Sequence, residues 1–496
     1  MNKSLADRLG LKDYSSAIPQ LLIGLDNAHL GVAKRTAADG RCGPAVVLTK
    51  LGWLVYCSGS ARKKSGFECH HTFYTQLETE ESLENLVKKH IVDEALGVNL
   101  TGRHVDSVDV ARAKDLLEQT TVRMGNRFVT GLLWRNDHML LPDSRKMAEK
   151  RLLTLEKKFD RDADFRKQYT YLMAEYESKA YARRLSDEEV LQRGNRTWYL
   201  PRFGVCNANK PEKLRLVFDA AAQVEGVSLN SALLNGPDLC QPLNTILMKF
   251  RQKPIGVCGD IVEMFHQVQV RREDQNAQRF LWRSNTNEDI REYMMSVMTF
   301  GATCSPCSAQ FVKNRNAEDF RDVFPNAANA ILNNHYVDDF VHCSNSPEEA
   351  MQTTNEVRSI HQQGGFELKL FVSNVKEVSE RLNGDKITTN DFSLDKDSFQ
   401  KVLGMYWDTA KDNLRFALLR GKVDKAIVRG ERRPTKREAL SIAMSVFDPF
   451  GLASEFTIAA KLVLQAVWRK GVRWDEKIPD DAYQMWLKWL NMLKQT

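Results

Sequence analysis

Asp338 and Asp339 stand side by side in the run Asn333-Asn334-His335-Tyr336-Val337-Asp338-Asp339-Phe340-Val341-His342-Cys343. Ala330, Ile331 and Leu332 lead into this run, and Phe340 and Val341 lead out of the carboxylate pair. The pattern predicts a β-hairpin with Asp338-Asp339 at its tight turn. Asp tolerates turn backbone, so the plain reading is an exposed hairpin tip. Two adjacent like charges repel, however, and Asn-Gly or Asp-Gly would suit a tip better. A cation would relieve the repulsion, and Mg²⁺ takes carboxylate oxygens in small numbers. Asp260 has a matching setting, because it closes the apolar run Ile255-Gly256-Val257-Cys258-Gly259. A carboxylate at the end of a buried strand is costly unless paired or metal-bound. On neighbouring strands of one sheet, Asp260, Asp338 and Asp339 could hold two Mg²⁺ ions.

Two such ions suit nucleotidyl transfer: one sharpens a 3′-hydroxyl as nucleophile, and the other holds a triphosphate and its leaving pyrophosphate. Phe265 follows shortly after Asp260. An enzyme that takes ribonucleotides needs a group there to accept the 2′-hydroxyl; an aromatic ring blocks it, so deoxynucleotides are favoured. Lys213-Leu214-Arg215-Leu216-Val217-Phe218-Asp219 alternates basic and apolar residues, which sets Lys213 and Arg215 on one strand face. That face is either a charge-guarded edge or a row of cations aimed at phosphates. Phe300-Gly301-Ala302-Thr303-Cys304-Ser305-Pro306 predicts a turn into a helix over residues 307–320, whose free N–H groups suit an anion. Arg279-Phe280-Leu281-Trp282-Arg283 is a basic-aromatic stretch, and Arg432-Arg433-Pro434-Thr435-Lys436-Arg437 a basic loop.

The elements that must position these residues are mixed. Residues 1–60 read as β-rich, with strands over 45–49 and 53–56, and residues 61–120 as a linker with a short helix over 79–94. Residues 121–195 begin with strands turning at Gly125-Asn126 and continue as helices. One helix carries Met147, Leu152, Leu155 and Phe159 on a face, and the next Phe165, Tyr169, Leu172, Met173 and Tyr176. Ser186-Asp187-Glu188-Glu189 opens a third with a capping box. Strands and helices alternate over 196–385, an α+β (mixed α/β) pattern. Val402-Leu403-Gly404-Met405-Tyr406-Trp407 pairs with Leu414-Arg415-Phe416-Ala417-Leu418, and helices follow over 438–446, 458–469 and 480–494.

With 496 residues and 43% hydrophobic content, the chain can fill several cores. A net charge of +7 permits an anionic partner without demanding one. Nine scattered cysteines fit a reducing compartment, and the lone Cys304-Ser305-Pro306-Cys307 has no second pair to complete a zinc site. No secretory signal is visible and no run approaches the ~18 apolar residues of a membrane span, so an intracellular protein without a membrane partner is expected.

Residues 196–375 resemble the reverse transcriptase domain of a BEL/Pao-type LTR-retrotransposon Pol polyprotein. The resemblance rests on Trp198-Tyr199-Leu200-Pro201, residues 213–219, Ser228-Leu229-Asn230 with Leu234-Asn235-Gly236-Pro237-Asp238-Leu239, Asp260-Ile261-Val262-Glu263-Met264-Phe265, residues 279–283, Phe300-Gly301 with Ser305-Pro306, and Tyr336-Val337-Asp338-Asp339. It implies a right-hand fold of fingers, palm and thumb, and RNA-directed DNA synthesis with two Mg²⁺ ions, for which Mn²⁺ substitutes. Metal and catalysis fall to Asp260, Asp338 and Asp339, nucleotide binding to Lys213, Arg215, Phe265, Gln310 and Lys369. The implied partners are RNA template, DNA primer and dNTPs, in a cytoplasmic virus-like particle.

Residues 395–496 resemble a Pao retrotransposon peptidase-family segment, through residues 403–407, Lys436-Arg437, residues 447–452, Trp468 and Trp474-Asp475; its helices read as thumb and connection. The loop over 432–437 would lie near template-primer phosphates. Residues 5–57 resemble the end of a retropepsin-like domain, through Leu22-Ile23-Gly24-Leu25-Asp26 and Leu51-Gly52-Trp53.

The chain departs from this family pattern in two places. An aspartic protease needs Asp-Thr-Gly or Asp-Ser-Gly; the nearest sequence is Asp408-Thr409-Ala410, so no protease activity is expected. Lys369-Leu370-Phe371 stands where relatives usually read Arg-Lys-Trp before Ser373-Asn374, which puts Leu370 in a lysine's place. No RNase H or integrase is recognised, and a piece of a longer polyprotein is expected. The competing reading is a catalytically inactive retroelement fragment that binds nucleic acid or a protein partner.

Overall fold

The computed structural model describes residues 106–496, save 208–209, 385–398, 417–423 and 496, together with three strands nearer the N-terminus. The chain divides into two compact units, residues 1–104 and 105–496. In the first, Arg35–Ala38, Ala45–Thr49 and Gly52–Tyr56 form an antiparallel meander. The expected 45–49 and 53–56 strands are thus paired, with one further strand ahead of them. Residues 21–26 and the helix expected over 79–94 lie outside the described residues.

The second unit is built around a four-stranded antiparallel sheet. Its order across the sheet is His335–Tyr336, Asp339–Ser344, Ile255–Ile261, Leu368–Ser373. Side chains alternate between the faces of a strand, and the sequence of Ile255–Ile261 shows the consequence. Val257 and Ile261 enter the main core with Phe340, Leu368 and Phe371. Cys258 points the other way, with Val341 and Val372, onto Ile246, Leu247, Phe250 and Trp407. Gly256 lets that second layer approach: a Cβ there would meet Phe250 at 2.9 Å and Trp407 at 3.0 Å. Both faces of the sheet are therefore covered near its middle.

The long helix Pro347–Gln363 backs the sheet, entering from a Ser346 cap that accepts the Glu349 amide. The helices Ser305–Glu318 and Pro325–Asn333 extend the same core. Ser305–Glu318 starts two residues before the expected 307, because Pro306 fits a first helical turn, where no N–H is needed.

On the N-terminal side, helices Arg145–Phe159 and Ala163–Ser178 bury Leu152, Leu155 and Phe159, and Phe165, Tyr169, Met173 and Tyr176, as their periodicity predicts. Met147 and Leu172 are only partly buried. The capping box at Ser186 is present. The linker expected to run to residue 120 needs correction. Val108–Thr120 is a helix of the second unit, capped by Ser107, with Ala113 and Leu117 fully buried.

The C-terminal run 402–407 also differs from the reading. It is two strands, Phe399–Val402 and Met405–Asp408, with Leu403-Gly404 as the turn between them, and Asn413–Arg415 pairs next. Leu403 and Gly404 both have positive φ, and a Cβ on Gly404 would meet Phe447 at 2.7 Å. Three helices follow, Lys436–Ala443, Ser454–Arg469 and Asp480–Gln495, around Trp486, Trp489 and Val467.

Candidate active site

Strand register builds the site. Asp339 is the first residue of its strand and pairs directly with Asp260, and Asp260 pairs on its other side with Lys369. In-register neighbours share a face, so the two carboxylates and the lysine form one row across the sheet end. The turn lies one residue earlier than the sequence predicts: Tyr336 pairs with Asp339, leaving Val337-Asp338 as the turn residues. Val337 has φ +56°, a left-handed conformation that a β-branched side chain rarely adopts. The turn is tied down: the Ile261 amide donates to Asp338 O at 2.9 Å, and the Val337 amide to the Cys240 sulfur.

The electrostatics are those of crowded acids. Burial, with Asp338 and Asp260 beside it, pushes the Asp339 carboxyl up to about 7, against the opposing pull of Lys401. Asp338 is exposed at the turn tip, yet the protein around it still raises its carboxyl; its own backbone amide and the Arg215 guanidinium oppose the rise. Among the described residues, no three His, Cys, Asp or Glu side chains form a ready-made metal cage. Mg²⁺ is commonly held by one or two carboxylates plus substrate phosphates. Facing carboxylates that raise one another in this way fit an ion that comes with its nucleotide.

Phe265 lies in the 3₁₀ turn Met264–Gln267, directly after the strand that carries Asp260. Its ring centroid is 4.7 Å from that of Phe300. Phe300 belongs to the turn that the sequence singled out, and this turn is locked to the strand Lys210–Phe218 by the Phe218 amide on Phe300 O. Gly301 (φ +122°) sits so close that an added Cβ would lie 1.8 Å from Phe218 O. Arg215 is exposed on that strand and acts on Asp338, while Leu214 and Leu216 face inward. The side chain of Lys213 lies outside the described residues.

The remaining expected site residues are placed differently from one another. Lys369 is exposed and ion-paired to Glu367 at 2.8 Å. A bulge follows it, with Leu370 at φ +59° and 40% exposed, and Phe371 packed over Gly259. The strand thus keeps a cation opposite Asp260 although position 370 carries a leucine. Gln310 does not join the site's surface: it is 2% exposed and both its amide atoms lack hydrogen-bond partners.

The basic stretches are largely consumed by the fold. Arg279 is buried and binds Glu292, Asn276 and the backbone carbonyls of Glu189, Val190 and Gln192, and Arg283 pairs with Glu156. In the basic loop, Arg432 pairs with Asp424 and Glu438, Arg433 with Asp480, and Arg437 with Asp475. Lys436 lies over Trp468 and Trp474 and donates to Val472 O. Arg432, Arg433 and Arg437 of this loop are thus already ion-paired to carboxylates within the chain. Sequence reasoning passed over Cys240, beside the turn, and Lys179 and Tyr181, which bind Glu263 two residues before Phe265; no local pattern marks them.

Residues 217–372 match the reverse transcriptase (RNA-dependent DNA polymerase) family, and residues 435–496 match the Pao retrotransposon-like RNaseH-like domain. These matches support a Pao-type retrotransposon Pol polyprotein. The reverse transcriptase match spans Asp260, Asp338, Asp339 and the whole four-stranded sheet, apart from the last residue of its Leu368–Ser373 strand. The C-terminal match corrects the sequence reading: its description is RNaseH-like rather than peptidase, so an RNase H-like segment lies within a chain expected to lack one. No curated protein matches the chain. Among the described residues, no helix is long and apolar enough to cross a membrane.

Proposed function

We propose that this Pao-type chain is an RNA-directed DNA polymerase that extends a DNA primer on an RNA template by two-metal transfer from dNTPs. The observation that carries the reading is the register of Asp339 against Asp260 at the end of one sheet. Asp260, Asp338 and Asp339 would hold the two Mg²⁺ ions, which when bound supply nucleophile activation and charge neutralisation on the triphosphate. The protein supplies the rest. Arg215, exposed on its strand beside Asp338, takes the negative charge of the incoming triphosphate. Phe265, braced on Phe300, presents an apolar surface where a ribose 2′-hydroxyl would need a hydrogen-bond partner. Lys369, in the row with Asp260, would neutralise the leaving pyrophosphate.

Primer extension on poly(rA)·oligo(dT) with Mg²⁺ tests the reading. The wild type extends the primer and Asp338→Asn does not. A wild type that binds template-primer but never extends it establishes the alternative, an inactive fragment retaining nucleic-acid binding.

A further inference from the structure

Two residues away from Phe265, the chain passes through a conformation it does not favour. Glu263 has φ +50°, left-handed and without glycine's freedom. Across from it, Ala180 has φ +56°, in the turn that joins helix Ala163–Ser178 to strand Ala182–Arg184. Polar contacts join the two turns. Lys179 Nζ donates to both Glu263 carboxylate oxygens, at 3.0 and 2.9 Å, and pairs as well with Glu175 at 2.7 Å. The Tyr181 hydroxyl donates to Glu263 Oε2 at 2.9 Å and accepts from Gln267 Nε2 at 3.0 Å. Burial would raise the Glu263 carboxyl, but Lys179 and Tyr181 outweigh it and hold it below its ordinary range. The Tyr181 ring also stacks on His266 at 5.0 Å, and His266 meets Phe300 edge-on at 5.3 Å. Residues 179 and 181 therefore reach both supports of Phe265: its backbone through Glu263, and its ring partner Phe300 through His266. Both lie outside residues 217–372, the reverse transcriptase match.

We infer that Lys179 and Tyr181 are positioning residues for sugar discrimination, fixing the Phe265 ring through Glu263 and His266. The inference rests on the reading that the chain polymerises deoxynucleotides with Phe265 as the gate. Strained backbone persists only where its surroundings over-determine it. Removing the anchor lets Glu263 relax toward ordinary backbone, and the ring two residues on loses its aim. Small misplacements at a selecting surface are felt as lost discrimination, because rejection depends on where the apolar wall stands.

The test compares kcat/KM for single dNTP and rNTP additions on one primer-template. Lys179→Met lowers the dNTP/rNTP preference about tenfold, as expected for one lost charge-assisted hydrogen-bond system. Tyr181→Phe keeps the ring on His266, removes only the hydroxyl, and lowers the preference about threefold. Lys179→Arg restores most of it. In the Phe265→Ala background, Lys179→Met adds nothing, because the coupling runs through that ring. The inference is overturned if Lys179→Met and Tyr181→Phe leave the preference unchanged while Phe265→Ala lowers it. It is also overturned if Lys179→Met and Phe265→Ala act additively. A wild type that extends no primer overturns the polymerase reading itself, which separates the two failures. Tyr181→Phe serves as the readout if Lys179→Met fails to fold.

Discussion

Replacing Asp339 by Asn removes a charge that the fold holds at a loss. Burial and two neighbouring carboxylates oppose its ionisation, so the amide relieves repulsion while deleting a proposed metal ligand. Asp339→Asn is expected to raise Tm by roughly 1–3 °C and to lower primer extension at least ~100-fold. A structural carboxylate would show the reverse in thermal unfolding, a lower Tm. Gly301 makes the opposite case, because its importance is steric. A methyl group there would occupy the space of Phe218 O and impose a side chain on φ +122°. Gly301→Ala should destabilise by about 2–4 kcal/mol, read as a fall in the urea midpoint. The hydrophobic alternation around residues 213–219 shows which strand face is buried, but only the fold shows that its end is clamped against the Phe300 turn.

The helix Ser305–Glu318 carries a buried charge beneath the hairpin. Lys313 is 2% exposed, and its ammonium donates to Ile331 O at 3.4 Å. Burial lowers it from 10.5 to about 7, against the opposing influence of Cys240. His335 and His361 lie close, bonded to one another at 3.1 Å, and both are held below their ordinary range by burial. The sign follows from proton counts. Between about pH 7 and 10.5 the unfolded chain binds the lysine proton and the folded chain does not, so stability rises with pH across that window. Lys313→Met should flatten this rise and add roughly 1–3 kcal/mol at pH 6, as measured by urea unfolding at a series of pH values. The helix itself is legible from Pro306 onward. The buried lysine is not, because Lys313 reads in sequence as one more solvated charge.

The second compact unit, residues 105–496, contains the reverse transcriptase match and the RNaseH-like match together. Expressed alone, it should unfold cooperatively with the Tm that the full chain shows for this region, and should retain primer extension; differential scanning calorimetry and the extension assay check both. The net charge of +7 gives the whole chain a mild attraction for nucleic acid. Because many arginines are already paired, as in the 432–437 loop, the salt dependence of template-primer binding should be shallow for so basic a chain. A log K against log salt slope of about −2 to −4 is expected, rather than about −10.

The sequence alone pointed to the proposed chemistry. Adjacent carboxylates, a third one closing an apolar run, and an aromatic ring shortly after it are local statements about residue type, and local patterns survive in a string. It also determined the helices Arg145–Phe159 and Ala163–Ser178 and which of their faces are buried, since periodicity is set by backbone geometry, but not the long helix Pro347–Gln363 behind the sheet. Tertiary structure decided the rest. It placed the turn at Val337-Asp338 rather than Asp338-Asp339 and set Lys369 opposite Asp260 by means of a bulge. It also paired the arginines of the basic stretches with acidic partners and joined Lys179 and Tyr181 to Glu263, two residues before Phe265. Each of these depends on strand register or on contacts between residues far apart in the chain, and neither quantity is written in any short window of sequence.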